Sequence, residues 1–184
     1  MSGDRTRRQL LAGLTAGLAA WCVAPMAVHA ADVQLPAPVS LAGALAAALA
    51  RAQPLVVMAS LQGCPFCKIV RENYLMPELA AGLPVVQIDF RDARTVRDFD
   101  GSTRTHDALI KAWHVSVAPT VLFFGRNGRE VAERLTGGDS DFYGAYLEAR
   151  LQQARTAVRS WRYAWRNRTG FPQEQSPSLV HDRP

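Results

Sequence analysis

The stretch Leu55–Glu72 constrains this chain more than any other: Leu-Val-Val-Met-Ala-Ser-Leu-Gln-Gly-Cys-Pro-Phe-Cys-Lys-Ile-Val-Arg-Glu. It opens with a short apolar run, Leu55–Ala59, the pattern of a strand buried on both faces. Gln62-Gly63 marks a turn. After Cys64-Pro65-Phe66-Cys67, the spacing of Ile69, Val70, Tyr74 and Leu75 predicts a helix with those residues inward. Cys64 then sits at the helix start, and Pro65 fits the first turn, where its missing N–H has no partner to lose. Unpaired N–H groups and the helix dipole at that position favour a thiolate over a thiol. Cys67 follows one turn later, near enough to close a small disulfide. A strand, a cysteine at the helix start and a second cysteine one turn on form a two-electron thiol–disulfide switch.

The chain of 184 residues has three cysteines, and Cys22 lies in the N-terminal apolar stretch. One vicinal pair remains. A structural bridge across Cys64 and Cys67 would close too small a loop to restrict the unfolded chain much. A hydrophobic share of 48% is ample for a packed core.

Residues 1–30 read as an export signal. Arg5, Arg7 and Arg8 form a basic start, Leu10 to Val23 an apolar segment, Pro25 a break, and Val28-His29-Ala30 a small-residue cleavage end. An uncleaved membrane anchor is the competing reading of the same segment. Thr6-Arg7-Arg8-Gln9-Leu10-Leu11 resembles a twin-arginine signal, with Leu10 where Phe is usual. Trp21 before Cys22 is too large for a lipidation site. Either export route leads to the periplasm, an oxidising space in which thiol exchange matters. Net charge is +5, or +3 without residues 1–30, which hold three Arg and one Asp. That balance points to no nucleic-acid partner.

Downstream, Val33–Leu35 is expected as an edge strand. Ser40 caps a helix with Leu41, Leu45 and Leu49 inward that ends by Gln53-Pro54. The cysteine helix is expected to reach Ala81, interrupted at Met76-Pro77. Val85–Phe90 is the next strand, and the polar segment Arg91–Thr105 a surface insertion. Asp107–Trp113 is a short helix, and Val115–Ala118 leads through Pro119 into strand Thr120–Phe124. Asn127-Gly128 turns a hairpin whose return strand is Glu130–Leu135. A last helix, capped by Asp139 or Ser140, places Tyr143, Tyr146, Leu147, Leu151, Ala154, Val158, Trp161 and Trp165 on one face and arginines on the other. The stretch 161–184 is a basic, aromatic helix end followed by a tail without periodicity.

This order of elements, the cysteine pair after a buried strand and Val117-Ala118-Pro119-Thr120 before a later one resemble the thioredoxin fold, an α/β fold with a central mixed sheet flanked by helices. The resemblance covers residues 38–159, within a domain of 31–160. With the export signal it points to the periplasmic thioredoxin-like thiol–disulfide oxidoreductases. It implies that Cys64 is the attacking cysteine, Cys67 the resolving one and Pro119 the family's cis-proline. Pro65, Phe66 and Ala118 would line the substrate, Ala118 through its backbone. Three departures stand out. Met58 replaces a buried Asp, Gly63 replaces a Trp, and Phe66 makes the motif closer to the Cys-Pro-Tyr-Cys of glutaredoxins.

The resemblance implies no cofactor and no resident metal. The expected partners are protein thiols and disulfides, with a membrane electron donor if the chain works as a reductase, the direction favoured by the lack of an isomerase-type dimerisation domain or a large helical insertion. A monomer is expected. Two other functions compete: a copper(I) metallochaperone using both cysteines with His106 or His114, and a redox-inert interaction module.

Overall fold

The computed structural model describes residues 34–138 and 141–168, with side chains through Ser160. In chain order the elements are α1 (Leu41–Ala50), β1 (Leu55–Ser60), α2 (Pro65–Ile69), a π turn (Val70–Leu75), α3 (Met76–Ala80), β2 (Val85–Asp89), β3 (Thr95–Arg97), β4 (Thr103–Thr105), α4 (His106–Ala112), β5 (Thr120–Phe124), a 3-10 turn (Arg126–Gly128), β6 (Leu135–Thr136) and α5 (Tyr143–Arg168). Residues 1–30, expected as an export signal, with Cys22 among them, and Asp139, Ser140, His181 and the tail after Arg168 lie outside the described residues.

β1 is wholly buried because it is central. β2 pairs with it in parallel, β5 antiparallel, and β6 extends the sheet beyond β5, giving the order β2-β1-β5-β6. Successive strand residues point to opposite faces. Val56, Met58, Val85, Val121 and Phe123 therefore pack with Cys67, Val70, Leu75 and α5. Leu55, Val57, Ala59, Ile88, Leu122 and Phe124 pack with α1 and α4. The result is the central mixed sheet between helical layers that the sequence implies. Each fully buried Leu, Ile or Phe in these two cores contributes about 1.5–3 kcal/mol.

Several local expectations need correction. Gln34–Pro38 forms no strand. Pro36 and Pro38 carry no N–H to donate, and the segment reaches the sheet through its backbone at Pro36 O, which accepts from Gln87 N at 2.9 Å. The segment 91–105 is not a plain surface insertion, because it folds into the β3–β4 hairpin. Val96 is buried in the second core, and Phe99 packs on Phe124 and Trp113 with ring centroids 4.8 and 6.1 Å apart. The return strand after Asn127-Gly128 shrinks to a bridge at Glu130 and the two residues of β6. The turn itself forms as expected, with Asn127 and Gly128 both at positive φ. On α5, Tyr143, Leu147, Leu151, Ala154 and Val158 face inward, but Tyr146 is 52% exposed.

The cysteine helix is interrupted where Pro77 requires it. Pro77 cannot donate to the carbonyl four residues back, and its ring would crowd that carbonyl. The chain widens into the π turn just before it, and Met76 N–H bonds to Arg71 O, five residues back. The π turn also brings Arg71 inward. It is buried and donates to Gln34 Oε1 at 2.7 Å, an oxygen that Gln87 Nε2 also reaches at 2.9 Å.

His106, the first residue of α4, is 1% exposed. Its Nδ1 accepts the Asp89 N–H at 3.2 Å, while Arg94 pairs with Asp89 and Asp92 beside it. Burial, and then the Arg94 charge, hold its pKa below the usual imidazole value against the opposite pull of Asp92 and Asp89. A histidine kept neutral in this way contributes stability that is complete above its unfolded pKa of about 6.5 and is lost as pH falls below it. The melting temperature should therefore fall by a few degrees between about pH 7 and pH 5, above the range in which the aspartates titrate. His106→Gln should melt lower at neutral pH but with a flatter slope across this window. Equal slopes for the two proteins would contradict the assignment.

Candidate active site

The site is built from the C-terminal end of β1, the start of α2 and the loop before β5, with the loop after β6 closing against them. Gly63, at φ +75, allows the sharp turn out of β1. Cys64 N–H donates to Leu61 O at 3.2 Å, and Cys64 then caps α2 with an extended backbone. Its sulfur takes the role an N-cap oxygen usually fills, accepting the Cys67 N–H at 3.2 Å. Such a bond strengthens when the sulfur carries negative charge. The same sulfur lies 3.9 Å from Ala118 O. Pro65 sits in the first turn, exposed, as its missing N–H allows.

The two thiols are free and unequal. Cys64 is half-buried at the surface, and Cys67 is 0% exposed beneath it. Burial pushes the Cys67 thiol up to about 11, with a further upward push from the hydrogen bond to Cys64. The Leu61 backbone and the Ser60 side chain pull it the other way.

Pro119 is buried, and its peptide bond to Ala118 is cis. Gly137 N–H donates to Pro119 O at 2.8 Å, and Thr120 Oγ1–H to Val117 O at 2.7 Å, which fix the loop on either side. Phe66, Ile69 and Val117 are 45%, 41% and 44% exposed and form an apolar margin. The structure thus brings together Cys64, Cys67, Pro65, Phe66, Ala118 and Pro119. Ile69, expected inward, is turned out. Two further residues border the site: Ser60, which follows the apolar run Leu55–Ala59 and carries no sequence signal, and Gly138, which the sequence marks only as part of a Gly137-Gly138 break.

The sequence also raised histidine as a metal partner of the cysteines. Among the described residues, the one group of three metal-ligating side chains with donor atoms within 4.8 Å of one another is Asp89, Asp92 and His106. The Arg94 guanidinium already occupies its carboxylates. His106 is thus engaged there, and His114 is an exposed loop residue at positive φ.

Gly138 is where the loop after β6 meets the site. A Cβ there would lie 2.8 Å from Val70 Cγ2, and 3.3 Å from both Phe66 O and Pro119 Cγ. The backbone oxygen and the ring cannot yield cheaply. Gly138→Ala should therefore cost about 1–3 kcal/mol by overpacking and lower the melting temperature by several degrees. An unchanged melting temperature would contradict the close approach of these three segments.

A model of the thioredoxin-like domain matches residues 41–151, more than half of the chain. No curated protein matches it. Among solved structures, spinach chloroplast thioredoxin f in its short form is 23% identical, covering 68% of this chain and 97% of its own, with a TM-score of 0.44. Trxlp of Edwardsiella tarda is 27% identical, covering 59% and 91%, with a TM-score of 0.41. Mitochondrial thioredoxin 3 of Saccharomyces cerevisiae, in its oxidised form, is 16% identical, covering 64% and 93%, with a TM-score of 0.41. With its cysteine pair inside the matched segment, the chain belongs to the thioredoxin-like domain family.

Proposed function

We propose that this chain is a thiol–disulfide oxidoreductase that exchanges a Cys64–Cys67 dithiol and disulfide with protein substrates. The observation that carries this reading is the asymmetry of the pair. One sulfur is reachable and accepts a backbone N–H at 3.2 Å, while the other is buried directly beneath it with its proton held tightly. The thiolate is the nucleophile in exchange. Cys64 attacks a substrate disulfide, forming a mixed disulfide and releasing the first substrate sulfur as a thiol. Cys67 then attacks Cys64, the Cys64–Cys67 bond forms, and the second substrate sulfur leaves, taking up the proton Cys67 gives away. Run backward, the same steps oxidise substrate thiols.

Ala118, whose carbonyl lies beside the Cys64 sulfur, is placed to pair with an extended substrate backbone, and Phe66 and Val117 to contact its side chains. With residues 1–30 acting as an export signal, the work is done in the periplasm, as a monomer. There the reductase direction draws on a membrane electron donor to restore the dithiol. Among the described residues, no helix is long and apolar enough to cross a membrane.

The order of attack tests the reading. Cys67→Ser should accumulate reducible mixed disulfides between Cys64 and other proteins, visible as adducts on a non-reducing gel, and Cys64→Ser should accumulate few. Both variants should lose insulin-reducing activity. A copper chaperone would lose copper(I) affinity in both variants and trap nothing covalent. An inert interaction module would keep its partners in both. Equal trapping by the two variants would overturn the assigned roles.

A further inference from the structure

The resolving step poses a problem that the two cysteines do not solve alone. Cys67 must become a thiolate as it attacks, yet it is fully buried and its thiol is pushed up to about 11. A charge forming there needs a partner. The neighbouring β1 residue on the same face of the sheet, Met58, is apolar and also fully buried, so it neither donates a hydrogen bond nor takes a proton. Two residues on, the same face presents Ser60. Ser60 is 1% exposed on the face it shares with Met58, which packs in the same core as Cys67, and its side chain opposes the upward push on the Cys67 thiol. Its backbone is held firmly, because Ser60 O accepts the Phe90 N–H at 2.8 Å and Ser60 lies in register with Asp89 of β2.

We propose that the Ser60 hydroxyl is a further working residue of this site, donating a hydrogen bond to the Cys67 sulfur as that sulfur gains charge in the resolving step. This rests on the oxidoreductase reading above. The step balances without any other reactant. The Cys67 S–H bond breaks, the Cys64–Cys67 S–S bond forms, the bond from Cys64 to substrate breaks, and the departing substrate sulfur takes up the proton. The Ser60 proton stays on Ser60 throughout, shared with the developing thiolate. Hydrogen bonds to charged groups are the strong ones in a water-poor site, so this contact weighs more in the transition state than in the resting dithiol.

The other titratable groups that face Cys67 are Cys64 on its own helix and Tyr143 on α5. Burial drives the Tyr143 phenol upward, so it stays neutral, and its hydroxyl is buried with no hydrogen-bond partner among the described residues. Neither group takes the role assigned to Ser60. Cys64 is bonded to substrate at that moment, and Tyr143 makes no bond to Cys67.

Rapid-mixing kinetics on the full chain separate the two steps. Mixed-disulfide formation is read in a Cys67→Ser background, and resolution is read as release of the second substrate thiol when Cys67 is present. Ser60→Ala should leave the first step unchanged and slow the second about tenfold, the size expected for one lost hydrogen bond to a charged group. It should also raise the pH of half-maximal resolution by about one unit. Ser60→Thr, which keeps the hydroxyl, should restore both. Resolution by Ser60→Ala at the wild-type rate and pH profile would overturn the proposal while leaving the oxidoreductase reading intact. Equal slowing of both steps, unrelieved by Thr, would show a merely structural role. No exchange by the wild-type protein at all would instead overturn the function on which the proposal rests.

Discussion

The bond from Cys67 N–H to the Cys64 sulfur is the contact on which the rest of the site depends. It exists because Cys64 ends a turn and starts a helix, and the turn lies where it does because β1 is locked between two strands. A capping sulfur is fixed in direction. It faces outward beside Ala118 O, and the residue that caps back to it is held one turn inside. The inequality of the two thiols is thus a property of helix geometry and of core burial together. Neither a looser helix start nor a more exposed second cysteine would produce it.

The core that buries Cys67 also supplies its opposition. Cys67 shares one buried core with Val56, Met58, Val70, Val121 and Tyr143, and that burial pushes its thiol upward. The same strand that supplies Met58 ends in Ser60, whose side chain pulls the other way. Fold stability and chemical poise meet at this point: apolar side chains hold the sheet against α2 and α5, and one polar group among them tempers what that packing does to the thiol. The Pro119 loop closes the site from the other side. Gly138 lets that loop and the helix approach to contact distance.

What was legible in the sequence was local. The apolar run, the turn, the cysteines at helical spacing and the Asn127-Gly128 turn are decided by neighbours within a few residues, and each formed where expected. Pro119 was named through resemblance, since nothing in the spacing of residues places it near Cys64, 55 positions away in the chain by their numbers. Ser60 carries no signal in the sequence, because a lone serine after the apolar run Leu55–Ala59 is an ordinary strand end; its meaning depends on which face it shares with Cys67. Val96 and Phe99 are hidden inside a charged segment; Val96 is buried in the second core, and Phe99 packs on the distant Phe124 and Trp113. His106 carried no periodic signal at all. Its partners reach it from β2 and the loop after it. The lead-in strand failed for a reason the sequence did display, the two prolines at 36 and 38, which outweigh the apolar alternation around Leu35.

The central claim is that Cys64 and Cys67 interconvert as one reversible two-electron pair. The most direct measurement is to equilibrate the protein in a series of reduced and oxidised glutathione mixtures, quench with acid, and count free thiols by mass after alkylation. The account predicts that both thiols disappear together in a single transition, that the product is an internal disulfide, and that the same curve is traced from the oxidised side. A pair that keeps both thiols across the whole series, or that stops with glutathione fixed on one sulfur and the other still free, would contradict it.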